Sequence, residues 1–286
     1  MSLTIITDSV SDLPITFYED NDVVLLPLKV ELEDKEYDDQ IEIDPNTVYQ
    51  AIRAGKIPKT SQVPPQRFKD LFTEMAINKQ DGIYIAFSSQ LSGTYQTAVM
   101  ILNQVKEEYP DFNLTIIDSK CASLGLGLVA VEAVRLANEN VSKDELVKRL
   151  QFHAFHMEHL FTVEDLDYLA RGGRVSKAAA FVGGLLNIKP LLNVEDGKLV
   201  PLEKLRGKKK LLHRVIELMK VRGKGFEQQI VGISHADNAE GAQEIQAMIQ
   251  EELHPKQIMV SSIGSVIGAH TGPGTIAIFF LNNIPS

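Results

Sequence analysis

Apolar positions along this chain follow two alternating periods. Short apolar runs at 3–6, 23–28, 83–87 and 114–117 read as buried strands, while 14–20, 45–54, 65–79, 92–109, 122–139 and 142–156 repeat apolar residues at helical spacing. Such alternation predicts an α/β unit with a mainly parallel sheet flanked by helices. The acidic stretch 31–44 interrupts it and predicts an irregular or hairpin excursion with solvated charges.

From about residue 157 the pattern changes. Strands are predicted at 158–163, 188–194, 198–203, 229–234, 256–261 and 275–281, with helices near 165–170, 176–186, 208–221 and 238–252. Glu195-Asp196-Gly197-Lys198 joins two of these strands, and Asp-Gly is a strong two-residue hairpin signal. A mixed or antiparallel sheet with helices follows from this half. A chain of 286 residues exceeds what one core usually covers, so two domains are expected, 1–156 and 157–286.

Composition removes several classes of function. The formal net charge of -9 disfavours nonspecific attraction to nucleic acid, and no apolar run approaches the length of a membrane span. Cys121 is the only cysteine, which excludes an intramolecular disulfide and a multi-cysteine metal site; its neighbours suggest a buried structural thiol. With no basic-then-apolar leader at the N-terminus, the expected compartment is the cytoplasm. His153, His156 and His159 recur every three residues, but without a Glu or Cys ligand pattern they read as a surface cluster rather than a metal site.

Candidate chemistry lies where strands hand over to helices. Phe87-Ser88-Ser89-Gln90-Leu91-Ser92-Gly93-Thr94-Tyr95-Gln96 places hydroxyls and free amides at a helix start, whose positive dipole end suits a carboxylate, a phosphate or an oxyanion. Ser92 or Thr94 capping its own helix is the plainer alternative. Hydroxyl clusters recur at Thr7-Asp8-Ser9, Thr60-Ser61-Gln62 and Asp118-Ser119, and in a parallel sheet such turns converge on one crevice. In the second half, Arg171-Gly172-Gly173-Arg174 ends a short helix with two planar cations, and 203–210 is a basic run containing Arg206. Gly268-Ala269-His270-Thr271-Gly272-Pro273-Gly274 sets a histidine and a hydroxyl in a turn ahead of an apolar strand.

Taken in order, Thr7-Asp8-Ser9, Thr60-Ser61-Gln62, Ser88-Ser89 with 91–96, Asp118-Ser119, Tyr168-Leu169 with Gly172-Gly173-Arg174, and 270–274 resemble the DegV family of bacterial fatty-acid-binding proteins over nearly the whole chain. The resemblance implies a two-domain α/β protein that buries one long-chain fatty acid near the domain junction. It implies no catalysis of its own and no cofactor. The bound acid would be presented to a separate ATP-dependent fatty acid kinase that forms an acyl phosphate for phospholipid synthesis. Carried onto this chain, Thr60 and Ser92 would bind the carboxylate, Ser61, Gly93 and Thr94 would complete the cradle, and His270 would be a polar neighbour. Arg171, Arg174 and Arg206 would form a positive face for the kinase. Gly207 departs from the family pattern, in which a hydroxyl residue commonly follows the arginine. For the acyl tail, 179–186 and 276–280 are candidate walls.

The rival reading is a serine hydrolase or acyltransferase with Ser92 as nucleophile, His270 as base and Asp8 or Asp118 orienting the imidazole. Against it, Ser92 lies in Gln90-Leu91-Ser92-Gly93-Thr94 and not in a Gly-x-Ser-x-Gly elbow. A phosphotransferase has less support, since no Gly-x-x-x-x-Gly-Lys-Ser/Thr loop is present.

Overall fold

A computed structural model describes residues 3–175 and 188–285. The first half forms a four-stranded parallel sheet in the order β2-β1-β6-β7, from β1 (Thr4–Asp8), β2 (Val24–Leu26), β6 (Gly82–Ala86) and β7 (Leu114–Asp118). Every residue of β6 is buried, as expected of a strand covered on both faces. Helices α3 (Pro65–Ile77), α4 (Thr94–Glu108) and α5 (Leu124–Asn138) join or cover these strands; the short α1 (Ile15–Asp20) and α2 (Pro45–Arg53) precede them in the chain. The expected acidic excursion is a hairpin of β3 (Lys29–Leu32) and β4 (Lys35–Asp38), completed into a three-stranded antiparallel sheet by β5 (Lys59–Ser61).

After α6 (Lys143–Phe155) a six-stranded mixed sheet runs in the order β10-β9-β8-β13-β11-β12, antiparallel except for the last pair. Its strands are β8 (Met157–Thr162), β9 (Ile188–Glu195), β10 (Lys198–Arg206), β11 (Ile230–His235), β12 (Gln257–Ser262) and β13 (Ile276–Leu281). The β9–β10 turn carries Asp196 at φ +46° and Gly197 at φ +79°, the left-handed pair that a two-residue hairpin requires. The short α7 (Leu166–Gly172) follows β8, and helices α8 (Lys208–Arg222) and α9 (Ala239–Leu253) cover one face, burying Leu160, Val215, Ile245, Ile278 and Phe280 together.

The opposite face of this sheet shares a core with the first half. Phe161, Leu192, Ala277 and Phe279 belong to one apolar cluster with Ile6, Phe68 and Tyr84. Helix α5 lies between the two layers, touching β1 and β6 on one side and β8, β11 and β13 on the other. A helix apolar all round is what such burial selects, and residues 124–130 are all buried. Its glycines permit the close approach: a side chain at Gly127 would strike the Ser11 carbonyl at 2.5 Å, and one at Gly125 would strike His159 Nε2 at 2.5 Å.

Two expectations need correction here. The segment 268–274 is not only a turn: Ser265–Thr271 is a short helix, α10, whose last turn carries His270. His159 does not belong to a surface cluster; it is 3% exposed on β8, edge-on to Phe279 with ring centroids 5.2 Å apart. The spacing of three suggested a helix face, but the chain leaves α6 at Phe155 and enters a strand. The tail-wall candidate at 179–186 lies outside the described residues.

Burial makes His159 an acid-sensitive group. It pushes the imidazole pKa down to about 4, whereas an unfolded histidine titrates near ~6.5. The stability contribution is therefore complete above ~6.5 and lost as pH falls toward ~4. Asp8 and Asp39, raised by burial to about 7 and about 6, act with the opposite sign. A His159→Phe comparison isolates the histidine: urea unfolding is expected to favour the variant by about 2 kcal/mol more at pH 5 than at pH 8. Parallel pH profiles for the two proteins would refute this.

Candidate functional site

Three chain segments meet at the mouth of one cavity. Strand β5 brings Thr60 and Ser61 by pairing with β3, where Thr60 faces Val30 in register. The β6–α4 turn brings Ser92 and Gly93, and α10 brings His270. The Ser88–Gly93 turn is held locally: Ser88 Oγ accepts from Gln90 N at 3.2 Å, and the amides of Leu91 and Ser92 donate to the Ser88 carbonyl. Gly93 lets the start of α4 press on the β5 segment, because a Cβ there would lie 2.5 Å from Gln62 Oε1.

The polar turns at Asp8 and Asp118 do not line this cavity; they brace the loop that does. Asp8 Oδ2 accepts from Tyr84 Oη at 3.0 Å and Phe87 N at 2.8 Å, and Asp118 Oδ1 accepts from Ser89 N at 3.1 Å. Thr7 and Ser119 hydroxyls are likewise spent inside the fold, on the carbonyls of Ile85 and Ala86. Thus two of the four expected turns converge on the crevice, and the other two support it. Cys121 is buried, and burial pushes its thiol pKa well up, as for a structural cysteine.

At the mouth, Thr60 Oγ1 and His270 Nε2 are 2.7 Å apart, and Ser92 Oγ lies 2.8 Å from Thr94 Oγ1. Ser92 Oγ also accepts from Thr94 N at 3.2 Å, so it serves the first amide of α4 and lines the cavity at once. Thr94, expected in the cradle, is fully buried and is not among the residues that line the cavity; its hydroxyl meets Ser92 Oγ from behind. Burial, and secondarily the charge of Arg174, lowers the His270 pKa to about 4, so the imidazole is neutral at neutral pH. Its Nδ1 edge packs on Gly172, where any Cβ would collide with the ring. Gly172→Ala is expected to push His270 off Thr60 and weaken head-group binding on the order of tenfold; unchanged affinity would show that this packing is incidental.

Behind the mouth the cavity, of about 260 Å³, turns apolar, walled by Leu28, Phe87, Leu91, Phe161, Leu169, Val194, Leu199, Val266, Ala277 and Phe279. Of the predicted tail wall 276–280, only Ala277 and Phe279 face it; Ile276, Ile278 and Phe280 point into the α8–α9 core, as strand alternation dictates. Deep polar atoms come from Ser123, His159, Thr271 and Thr275. Sequence reasoning missed His159, Leu28 and the hairpin residues Val194 and Leu199, since their roles depend on how separate elements stack. The hairpin tip is tied down where Ser88 Oγ donates to the Gly197 carbonyl at 2.8 Å.

The hydrolase arrangement expected as the alternative is not assembled. His270 Nε2 is engaged by Thr60, Ser92 Oγ by Thr94, and Asp8 and Asp118 by backbone amides and Tyr84. Among the described residues no cluster of His, Cys, Asp and Glu could hold a metal ion, and no helix is long and apolar enough to cross a membrane. Arg171 and Arg174 line a second recess that adjoins the mouth, whereas Arg206 ends the edge strand β10 and lines neither space.

A family model described as that of an uncharacterised protein, DegV family, matches residues 2–283. A DegV domain-containing protein of Clostridium perfringens is 39% identical over 282 residues, covering 98% of this chain and 97% of that protein. Among solved structures, a Thermus thermophilus DegV family protein described by its fatty acid binding superposes with a TM-score of 0.89 at 31% identity, covering 98% of this chain and 99% of that one. DegV of Bacillus subtilis, described as a fatty acid binding protein, gives 0.84 at 30% identity and covers 98% of each chain. By fold and by sequence, the chain belongs to the DegV family.

Proposed function

We propose that the protein carries one long-chain fatty acid, with its carboxylate among Thr60, Ser61, Ser92 and Gly93 beside His270 and its tail in the apolar cavity. The observation that carries this reading is a single cavity with a hydroxyl-rich mouth at a helix start and hydrocarbon walls behind it. Hydroxyls, α4 amides and a neutral imidazole satisfy a carboxylate without an obligatory lysine. A chain of ~16 carbons gains roughly 0.8 kcal/mol per buried methylene, less several kcal/mol for association and chain ordering. The tail therefore supplies affinity and the mouth supplies orientation. The relatives described as fatty-acid-binding proteins support the assignment.

The carrier is non-catalytic in this reading and hands its head group to a separate fatty acid kinase in the cytoplasm. Arg206, with Arg171 and Arg174, offers cations to that partner from a chain of net charge -9. Calorimetric titration of delipidated protein with palmitate tests the first part: one acid per chain is expected, and no saturable binding would end the proposal. Arg206→Glu tests the second, since unchanged acyl-phosphate formation with the matching kinase would remove Arg206 from docking.

A further inference from the structure

We propose that Asp39, with Asp12 beside it, is a positioning residue for the head-group cradle: its buried carboxylate pins the start of α10, and α10 sets His270 against Thr60. The inference rests on the carrier reading above and identifies residues outside the cavity on which recognition of the acid depends.

The sequence of α10 does not place the helix by itself. It spans seven residues between Gly264 and Gly272, too few to stand alone in water, yet Val266, Ile267, His270 and Thr271 all line the cavity. Its position comes from the first half of the chain. Asp39 Oδ1 accepts from Ser265 N at 3.1 Å, Asp12 Oδ1 accepts from Gly264 N at 2.9 Å, and the Tyr49 hydroxyl donates to the Ile263 carbonyl. The carboxylates are oriented in turn: Ser9 Oγ donates to Asp39 Oδ2 at 2.8 Å, and Ser123 Oγ donates to Asp12 Oδ2. Every one of these carboxylate partners is an amide or a hydroxyl. Burial pushes the Asp39 carboxyl up to about 6 and the Asp12 carboxyl well above its usual range, with Asp8 nearby adding to the Asp12 shift. Charge is therefore a cost at this place, and what the two side chains contribute is acceptor geometry.

One small sheet holds both ends of the arrangement. Asp39 follows β4 directly and Thr60 lies on β5, with β3 paired between them. Asp39 fixes the first turn of α10, and Thr60 meets its last turn, where His270 Nε2 lies 2.7 Å from Thr60 Oγ1. A displacement at Ser265 is carried along about one and a half turns of helix to His270. Hydrogen bonds are short and directional, so a shift of roughly an ångström takes the imidazole out of reach of a bound carboxylate. Contacts of the tail with Val266 and Ile267 carry no direction and adjust to the same shift. Loss of the Asp39 hold is therefore felt by the head group first.

The test compares palmitate with hexadecanol on delipidated protein. Gly264 has φ −70° and ψ 173°, extended backbone that any residue adopts, but a Cβ there would lie 2.7 Å from Asp12 Oδ1. Gly264→Ala therefore pushes the start of α10 off the two carboxylates, and Gly264 does not line the cavity. Its palmitate affinity is expected to fall about tenfold while hexadecanol affinity stays within about threefold. Asp39→Ala should repeat this pattern. Asp39→Asn, whose amide oxygen still accepts from Ser265 N, should restore the palmitate affinity. In NMR titration the His270 imidazole, held at about 4 by burial in the unsubstituted protein, should move toward ~6.5 in Gly264→Ala and Asp39→Ala. An unchanged ratio of the two affinities in a folded Gly264→Ala or Asp39→Ala protein, or parallel losses of both ligands, would overturn the inference while leaving the carrier reading intact. So would an Asp39→Asn protein as impaired as Asp39→Ala. Absent palmitate binding to the unsubstituted protein would overturn both.

Discussion

Tryptophan in place of Ala277 is expected to exclude the acyl chain and lower palmitate affinity by at least about 100-fold. Ala277 is 7% exposed, stands opposite Phe161 in the β8–β13 register and points into the cavity between layers. An indole there occupies the volume of roughly four methylenes; at ~0.8 kcal/mol each, the loss is about 3 kcal/mol, or ~100-fold. Because the indole enters a space the fold already leaves open, the protein should remain folded, and circular dichroism beside calorimetric titration separates the two effects. Unchanged affinity in a folded variant would mean that the tail lies elsewhere.

Removing both hydroxyls of the mouth, Thr60→Val with Ser92→Ala, is the second large effect. Hydrogen bonds to a charged group contribute about 1.5–3 kcal/mol each. Thr60 Oγ1 and Ser92 Oγ are both part of the cavity mouth, and among the described residues each has one neutral side-chain partner, His270 and Thr94 respectively. Palmitate affinity is expected to fall on the order of 100-fold, whereas hexadecanol, with no charge to satisfy, should lose less than tenfold. Equal losses for acid and alcohol would indicate a distorted cavity and would contradict the head-group assignment. Some of the loss is shared, since the Thr94 amide at the start of α4 also loses its Ser92 acceptor.

Much of this was legible in the pattern of apolar positions. Strand β6 reads directly as a five-residue apolar run, and the Asp196-Gly197 turn fixes the β9–β10 hairpin through backbone chemistry alone. Hydroxyls at Thr60 and Ser92 were recognisable because each sits where a strand or turn meets a helix start. Less legible were features set by stacking between distant elements. Nothing local to His159 says that α5, through Gly125, will seal it inside, and the spacing with His153 and His156 points to the wrong geometry. Likewise α10 spans only seven residues with three internal or flanking glycines at 264, 268 and 272, so propensity hides a helix that tertiary contacts enforce. The Asp8 and Asp118 turns look like site residues because a bracing carboxylate and a ligand-binding one share the same local sequence.

What occupies the cavity decides the carrier assignment most directly. Denaturing extraction of the purified protein, with mass spectrometry of the released lipids against a known standard, should recover close to one long-chain fatty acid per chain, and markedly less from Ala277→Trp prepared identically. Recovery of no fatty acid from the unsubstituted protein, together with no uptake when palmitate is added back, would contradict the central claim.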